Sequence, residues 1–151
     1  MLDDMDRRIL RRWQSEPDMT PAALAEALAI NRATVTRRIK RMQDQKVVAG
    51  VRAEINWAAL GYEVEVSLRI TLDKTQSRAF DDFIEAARKI PEVLAIQTFL
   101  GRVDVRLSLI ARDMRHYRRI YREEILNLPN IADIEALMHV ARIQNDTRLP
   151  V

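Results

Sequence analysis

The residue types best suited to chemistry in this 151-residue chain are cations clustered between positions 31 and 46. The basic residues there are Arg32, Arg37, Arg38, Lys40, Arg41 and Lys46. Because the only acid among them is Asp44, the segment is more positive than the whole chain, whose formal net charge is +3. Guanidinium and ammonium groups donate hydrogen bonds to phosphates and guanine edges, so the cluster favours a polyanionic partner.

One side of this segment is basic and the other is apolar. Val35, Ile39 and Met42 recur at spacings of four and three, which predicts a helix with these side chains on one face. The opposite side carries Arg32, Thr34, Thr36, Arg37, Lys40 and Arg41. Such a helix can pack on one side and enter the DNA major groove with the other. The alternative is a solvated cationic face, which is the usual meaning of a charge run.

The residues before this helix predict the elements that would hold it. Thr20 suits an N-cap and Pro21 suits the first position of a short helix, and Asn31 can cap the basic helix after a tight turn. Residues 2–14 have apolar side chains at helical spacing and predict a third helix. Three helices of this size can bury a common core, which predicts a helix-turn-helix domain.

After Lys46 the pattern changes from helical to extended. Val47, Val51 and Ile55 predict short extended segments, either a small wing or a linker strand. Gly61 can take the positive φ that a hinge between two domains often needs. We therefore expect the helix-turn-helix domain to be followed by a separate second domain.

The second half alternates between strand and helix patterns. Residues 63–72 alternate strictly between polar and apolar, and a helix pattern then runs to Pro91. Strands follow at 94–100 and 103–109, a long helix runs from Asp113 to Pro129, and a last strand covers about 134–143. The order βαββαβ predicts a ferredoxin-like, four-stranded antiparallel sheet with both helices on one face. The fold class is therefore α+β.

The sheet face without helices would be too apolar to remain in water. It would carry Phe99, Leu137, Ala141 and Ile143. Covering that face with the same face of a second copy would solve the problem, so we expect a homodimer.

Composition excludes several classes of protein. The chain has no cysteine, which excludes disulfides and thiolate metal sites. It has no apolar run of membrane-spanning length and no signal-peptide core, so we expect a cytoplasmic protein without a membrane partner. The only histidines are His116 and His139, with no cluster of ligands around either. We therefore expect no metal, no cofactor and no catalytic residues.

Four stretches in order resemble one known family. They are LDDMDRRIL, INRATVTRRIKRM, VVAGVRAEINWAALG and FLGRVDVRLSL. Together they make the sequence similar to the Lrp/AsnC, or feast/famine, transcription regulators. The resemblance implies a helix-turn-helix domain at 1–48 (winged-helix-like), a linker strand or hinge at 49–61, and a ferredoxin-like domain at 62–151. It also implies double-stranded operator DNA as a partner, dimers that often assemble into octamers, and an amino acid or related small molecule as effector.

The family's functional positions can be carried over to this chain. The DNA-reading positions that the resemblance implies are Arg32, Thr34, Thr36, Arg37, Lys40 and Arg41. The effector-loop positions that it implies are Gly101, Arg102, Val103 and Asp104. Three residues depart from the family pattern: Asn31 replaces serine, Lys46 replaces glycine and Val103 replaces an aromatic residue. The last leaves open whether an effector binds.

Several residues allow a structural interpretation as well as a functional one. Arg38 lies near the apolar stripe, so its stem can pack while its guanidinium pairs with an acid such as Asp6. Asp104 can hold a ligand's amino group or can accept hydrogen bonds from nearby backbone N–H groups. Five arginines, at 112, 115, 118, 119 and 122, form a second nucleic-acid patch or a solvated helix face.

Two further functions remain open at this stage. Haem-biosynthesis decarboxylases that act on sirohaem resemble the same two-domain architecture, and such an enzyme would use histidines and arginines around a tetrapyrrole. A DNA-architectural protein of low specificity would use the same basic helix. Selective binding of particular duplexes distinguishes a regulator from both.

Overall fold

The computed structural model describes residues 1–144 and 146–151, and they form two compact units. The first unit contains Met1–Glu54 together with the C-terminal residues from Gln144 on, and the second contains Ile55–Ile143. The C-terminal residues belong to the first unit through Gln14, whose side chain bonds both the N–H and the C=O of Leu149 at 2.9 and 2.7 Å. No helix in the described ranges is long and apolar enough to cross a membrane.

Three helices form the first unit, as predicted. They are α1 (Asp4–Ser15), α2 (Pro21–Leu28) and α3 (Arg32–Asp44). The two predicted caps are confirmed, because the side chains of Thr20 and Asn31 accept hydrogen bonds from the backbone N–H groups of Ala23 and Ala33. The predicted apolar stripe of α3 is confirmed as well. Its three residues are buried with Ile9, Leu24 and Ala25 in one core.

The backbone after α3 makes a glycine-like turn. Lys46 has a φ of 58°, so it adopts the left-handed conformation at the position where the family pattern has glycine. A side chain in this conformation costs roughly 1–2 kcal/mol. The turn persists because Val47 and Val48 both donate to the carbonyl of Met42, at 2.9 and 3.2 Å.

The predicted extended segments after this turn do not form a strand. Residues 46–56, all of them within the described part of the chain, contain no strand. Apolar residues alone were not sufficient there, because a strand needs a neighbour to accept its backbone hydrogen bonds and none of the described strands pairs with this segment. The predicted positive φ of Gly61 is confirmed at 84°, directly after the helical turn Ala58–Leu60.

The second unit has the predicted order of elements. Its strands are β1 (Val64–Leu72), β2 (Val93–Thr98), β3 (Val105–Ala111) and β4 (Ile131–Met138). They form one antiparallel sheet in the order β2-β3-β1-β4. Its helices are α4 (Ala79–Ala87) after β1 and α5 (Met114–Ile120) after β3, and α5 continues as a π-helical turn over Tyr121–Ile125.

The helices cover one face of this sheet. Leu68 on β1 and Leu107 on β3 are fully buried neighbours, and Phe83 of α4 and Ile125 of the π-helical turn belong to the same core. The alternation predicted for these strands is confirmed by this burial. The core fixes both ends of β1 and β3, and therefore the loops that follow them.

The opposite face of the sheet is open and only partly as predicted. Phe99 is 43% exposed just after β2, and Leu137 of β4 lies beside Ser67 of β1. The placement of Ala141 and Ile143 on this face was wrong, since β4 ends at Met138. The last backbone bond along this edge is from the N–H of His139 to the carbonyl of Glu65, after which the chain leaves the sheet.

One buried carboxylate holds α3 against α1. Asp6 is fully buried, and its oxygens lie 2.9 Å from Nη1 of Arg38 and 2.5 Å from Nη2 of Arg41. Asp3 caps α1 by accepting from the N–H of Asp6, and it also pairs with Arg38 at 2.7 Å. The predicted pairing of Arg38 with Asp6 is therefore confirmed. The hydrogen bond from Arg38 lowers the pKa of Asp3 to about 2.

We expect Asp6→Asn to lower the free energy of unfolding by about 2–3 kcal/mol, somewhat below the usual loss on breaking a buried pair because both arginines are partly exposed. Urea unfolding followed by circular dichroism measures the change. Asp4→Asn is the matched control, because Asp4 lies in the same helical turn but is exposed. Equal stability of the two variants would contradict this role for Asp6.

Candidate DNA-binding surface and ligand loop

The exposed side of α3 forms a shallow concave surface. Arg32, Thr36, Arg37 and Lys40 line it together with Asn31 and Ala33, and the concavity has a volume of about 640 Å³. Its three cations are exposed and form no ion pair with any described residue. Their charges are therefore not balanced within the first unit, in contrast to that of Arg38.

Two of the six predicted DNA-reading residues lie away from this surface. Thr34 is half-buried, and Arg41 turns toward the core and bonds Asp6. Sequence periodicity did not separate Arg41 from its outward neighbours, because the acid that attracts it is 35 residues away on α1. The roles of Thr34 and Arg41 in DNA binding stay predictions.

The predicted ligand loop joins β2 to β3. Gly101 and Arg102 are exposed, Val103 is half-buried and Asp104 is only 2% exposed. The loop is attached to β1 at two points. The hydroxyl of Thr71 donates to the carbonyl of Arg102 at 3.1 Å, and the N–H of Asp104 donates to the carbonyl of Ile70 at 3.0 Å.

The carboxylate of Asp104 already has partners inside the unit. One oxygen accepts from the N–H of Leu72 at 2.9 Å, and the other lies 2.8 Å from Nζ of Lys74. Burial opposes ionisation of this group, but the hydrogen bonds from Lys74 and Leu72 outweigh it and hold the pKa of Asp104 below its ordinary value. These contacts support the structural interpretation of Asp104, because a ligand amine would have to displace Lys74.

Sequence reasoning missed Lys74 and the cluster around Glu65. Lys74 follows β1 and reaches Asp104 only because β1 and β3 are neighbours in the sheet. Glu65 pairs with Arg142 at 2.5 Å and lies 3.5 Å from Nδ1 of His139. Neither the Lys74–Asp104 pair nor the cluster around Glu65 could be recognised as a local motif, because each joins residues that are 30 or more positions apart in the sequence. No group of three or more potential metal ligands occurs among the residues that the model describes.

Two family models match the chain. A model described as the AsnC-type helix-turn-helix domain matches residues 2–43, and one described as the Lrp/AsnC ligand binding domain matches residues 65–149. The first match contains α1, α2 and all of α3 except its last residue, and the second contains the complete sheet except the first residue of β1. The family resemblance seen in the sequence and the α+β fold class are thus confirmed.

Relatives and solved structures agree with these matches. The proline dehydrogenase transcriptional activator of Rhizobium radiobacter is 30% identical, covering 87% of this chain and 85% of that protein. The DNA-binding transcriptional activator DecR of Escherichia coli K12 is 25% identical, covering 100% and 99% of the two chains. A crystal structure of a transcriptional regulator from Neisseria meningitidis in complex with L-methionine superimposes with a TM-score of 0.91 at 25% identity, covering 99% and 97% of the chains. The chain therefore belongs to the Lrp/AsnC family of transcriptional regulators.

Proposed function

We propose that α3 binds operator DNA in the major groove, with Arg32, Thr36 and Arg37 at base edges and Lys40 at a phosphate. The observation that carries this proposal is the separation of charges on α3. Its outward cations have no partner among the described residues, while the inward Arg38 is paired with Asp3 and Asp6. Outward arginines on a rigid helix are the groups that recognise guanine edges.

Arg41 is a further candidate phosphate contact, in spite of its bond to Asp6. Its side chain is 43% exposed, and only one of its nitrogens bonds the carboxylate. A guanidinium has five N–H donors, so the others can reach a phosphate. Thr34 is half-buried, so it can contact the sugar-phosphate backbone of DNA only if its hydroxyl turns outward.

The oligomer we propose is a dimer formed through the open face of the sheet. Exposed Phe99 and half-buried Leu137 support this interface, because apolar groups on an open sheet face are stabilised when a second copy covers them. Two recognition helices in a dimer bind half-sites one helical turn of DNA apart, or a multiple of it. Further assembly into octamers follows the family expectation.

The effector we propose is an amino acid bound near the loop Gly101–Asp104. A family model for ligand binding spans the second unit, and the relative from Neisseria meningitidis was solved with L-methionine. Arg102 is exposed and can pair with an α-carboxylate. Asp104 would then act mainly by holding the loop on β1 through Lys74 and Leu72.

A regulator explains the chain better than the other two functions do. The relatives named above are transcriptional activators, and neither is named as a decarboxylase. A DNA-architectural protein would bind different duplexes with similar affinity, so selection of bound duplexes from a random pool distinguishes the two. We expect the protein to act in the cytoplasm, where its DNA target lies.

We expect Arg37→Ala to weaken binding of the selected operator by about 1–3 kcal/mol, because a bidentate contact to guanine would be lost. Gel-shift titrations at several salt concentrations measure both the affinity and its salt dependence. Arg12→Ala is the matched control, since Arg12 is exposed on α1 and pairs only with Glu16. Unchanged affinity and an unchanged salt slope in Arg37→Ala would exclude the contact.

We expect Asp104→Asn to lower the free energy of unfolding at pH 7 by about 1–3 kcal/mol, because the pair with Lys74 is lost. Since the folded pKa of Asp104 is below its unfolded value, its contribution is full above the unfolded pKa. The contribution disappears as pH falls through the folded pKa. The difference in free energy of unfolding between the wild-type protein and Asp104→Asn should therefore disappear in acid. Urea titrations at several pH values measure this difference.

The same variant tests how the effector binds. If Asp104 only holds the loop, calorimetric titration with L-methionine and other amino acids should show binding to folded Asp104→Asn but weakened binding to Arg102→Ala. Asp133→Asn, an exposed change on β4, is the control for both measurements. Binding that depends on Asp104 but not on Arg102 would reverse these two roles.

We expect Phe99→Glu to raise the dimer dissociation constant at least about tenfold, because a charge would be buried in the proposed interface in place of an apolar ring. Sedimentation equilibrium at micromolar concentration measures it. Leu126→Glu is the control, since Leu126 is 53% exposed and follows the π-helical turn on the helix side of the sheet. A monomeric wild-type protein at these concentrations would contradict the proposed interface.

A further inference from the structure

A cleft rich in arginine lies in the second unit, where β3 leads into α5. Its volume is about 540 Å³, and Arg112, Arg115, Arg119 and Arg122 are among its lining residues. A smaller cleft of about 320 Å³ lies beside it, lined in part by Arg118. The two clefts share Arg115 and Arg122, so these two arginines lie at the boundary between them.

The carboxylates at the larger cleft are already engaged. Asp113 caps α5 by accepting from the N–H of His116 at 2.7 Å. Glu92 lies 3.4 Å from Nε2 of His116, and Glu123 lies 4.0 Å from the guanidinium of Arg119. Glu92 and Glu123 therefore have side-chain partners at the cleft, whereas Asp113 bonds a backbone N–H group and its charge offsets part of that of the nearby Arg115.

The imidazole of His116 keeps Glu92 in place. The backbone N–H of Arg112 donates to Nδ1 of His116 at 3.1 Å, so the ring proton must be on Nε2, the nitrogen that faces Glu92. The side chain of Arg112 is held separately, with its guanidinium 5.8 Å from the ring centre of Tyr62. The wall of the cleft is thus built from fixed groups.

Two arginines at the cleft form no direct ion pair with a described residue, although the carboxylate of Asp113 lies near Arg115. The hydrogen bond from the N–H of His116 and, in addition, the charge of Arg115 lower the pKa of Asp113. Neither Arg115 nor Arg122 forms an ion pair with any residue in the described ranges. They are seven positions apart, so α5 and the π-helical turn after it place them on the same side, with Arg119 between them. Arg119 lies four positions after Arg115 and three before Arg122, and like charges at these spacings repel one another, so a bound anion would lower the repulsion. Single π-helical turns occur frequently at functional sites.

The shape and charge of the cleft indicate the class of ligand. Guanidinium groups bind carboxylate and phosphate oxygens through paired hydrogen bonds. A single carboxylate has only two acceptor oxygens, whereas a phosphate or a diphosphate has enough to accept from Arg115, Arg119 and Arg122 together. The volume is in the range of small-molecule sites.

We propose that this arginine cleft binds a small, multiply charged oxyanion of the phosphate or diphosphate type. The site differs from the ligand loop at Gly101–Asp104, because the two lie at opposite ends of β3. A seven-residue strand separates them by roughly 20 Å. The protein would therefore have a second ligand site besides the one proposed for an amino acid.

Isothermal titration of the full-length protein with inorganic pyrophosphate, at constant ionic strength, tests the proposal. We expect saturable binding at one site per chain. Arg115→Gln and Arg122→Gln should each weaken it about tenfold, the usual effect of losing a charge-assisted hydrogen bond. Arg88→Gln should leave it unchanged, because Arg88 is an exposed arginine of the same unit outside the cleft. Circular dichroism shows whether each variant is folded.

Three results would overturn the proposal. The first is no saturable binding to folded wild-type protein. The second is equal weakening in Arg88→Gln, which would mean that the anion responds only to overall charge. The third is loss of pyrophosphate binding in Arg37→Ala, or a loss of operator affinity in Arg115→Gln as large as that in Arg37→Ala. The first of these alternatives would mean that pyrophosphate binds at the DNA-binding helix. The second would mean that the arginines of the cleft bind DNA.

Discussion

The buried carboxylate of Asp6 is the interaction on which the DNA-binding unit depends. It lies at the start of α1 and binds Arg38 and Arg41, which lie one turn apart on α3. An unpaired charge at this depth would be strongly destabilising, so the two helices can adopt only an arrangement that keeps these bonds. A recognition helix must be held rigidly to present its side chains to a groove, and this ion pair supplies that constraint in addition to the apolar core.

The arginines of α3 divide according to what faces them. Arg38 has two acids within hydrogen-bond distance and is 21% exposed, whereas Arg37, next to it in the chain, points to solvent without an internal partner. The same residue type thus stabilises the fold at one position and remains available to DNA at the next. Only in the first case does the charge contribute to the folding of the unit.

The two faces of the sheet in the second unit also have different roles. Helices cover one face, and the carboxylate of Asp104, directly before β3, fastens the ligand loop to β1. The other face carries exposed Phe99 and half-buried Leu137, which a second copy can cover. The arginines of α5 lie outside both features, and their charges indicate a separate role for that side of the unit.

Local patterns in the sequence were enough to predict the helices, the order of the four sheet strands, two helix caps and the family. Thr20 and Asn31 act on N–H groups two or three residues away, and the stripe on α3 and the alternation in β1 follow from local periodicity, so each could be predicted without a fold. The folded chain, by contrast, brings Arg41 to Asp6 and Lys74 to Asp104, and it ends the last strand at Met138. These outcomes depend on partners 30 or more positions away or on the neighbouring strand, and no local pattern encodes which distant groups the folded chain brings together.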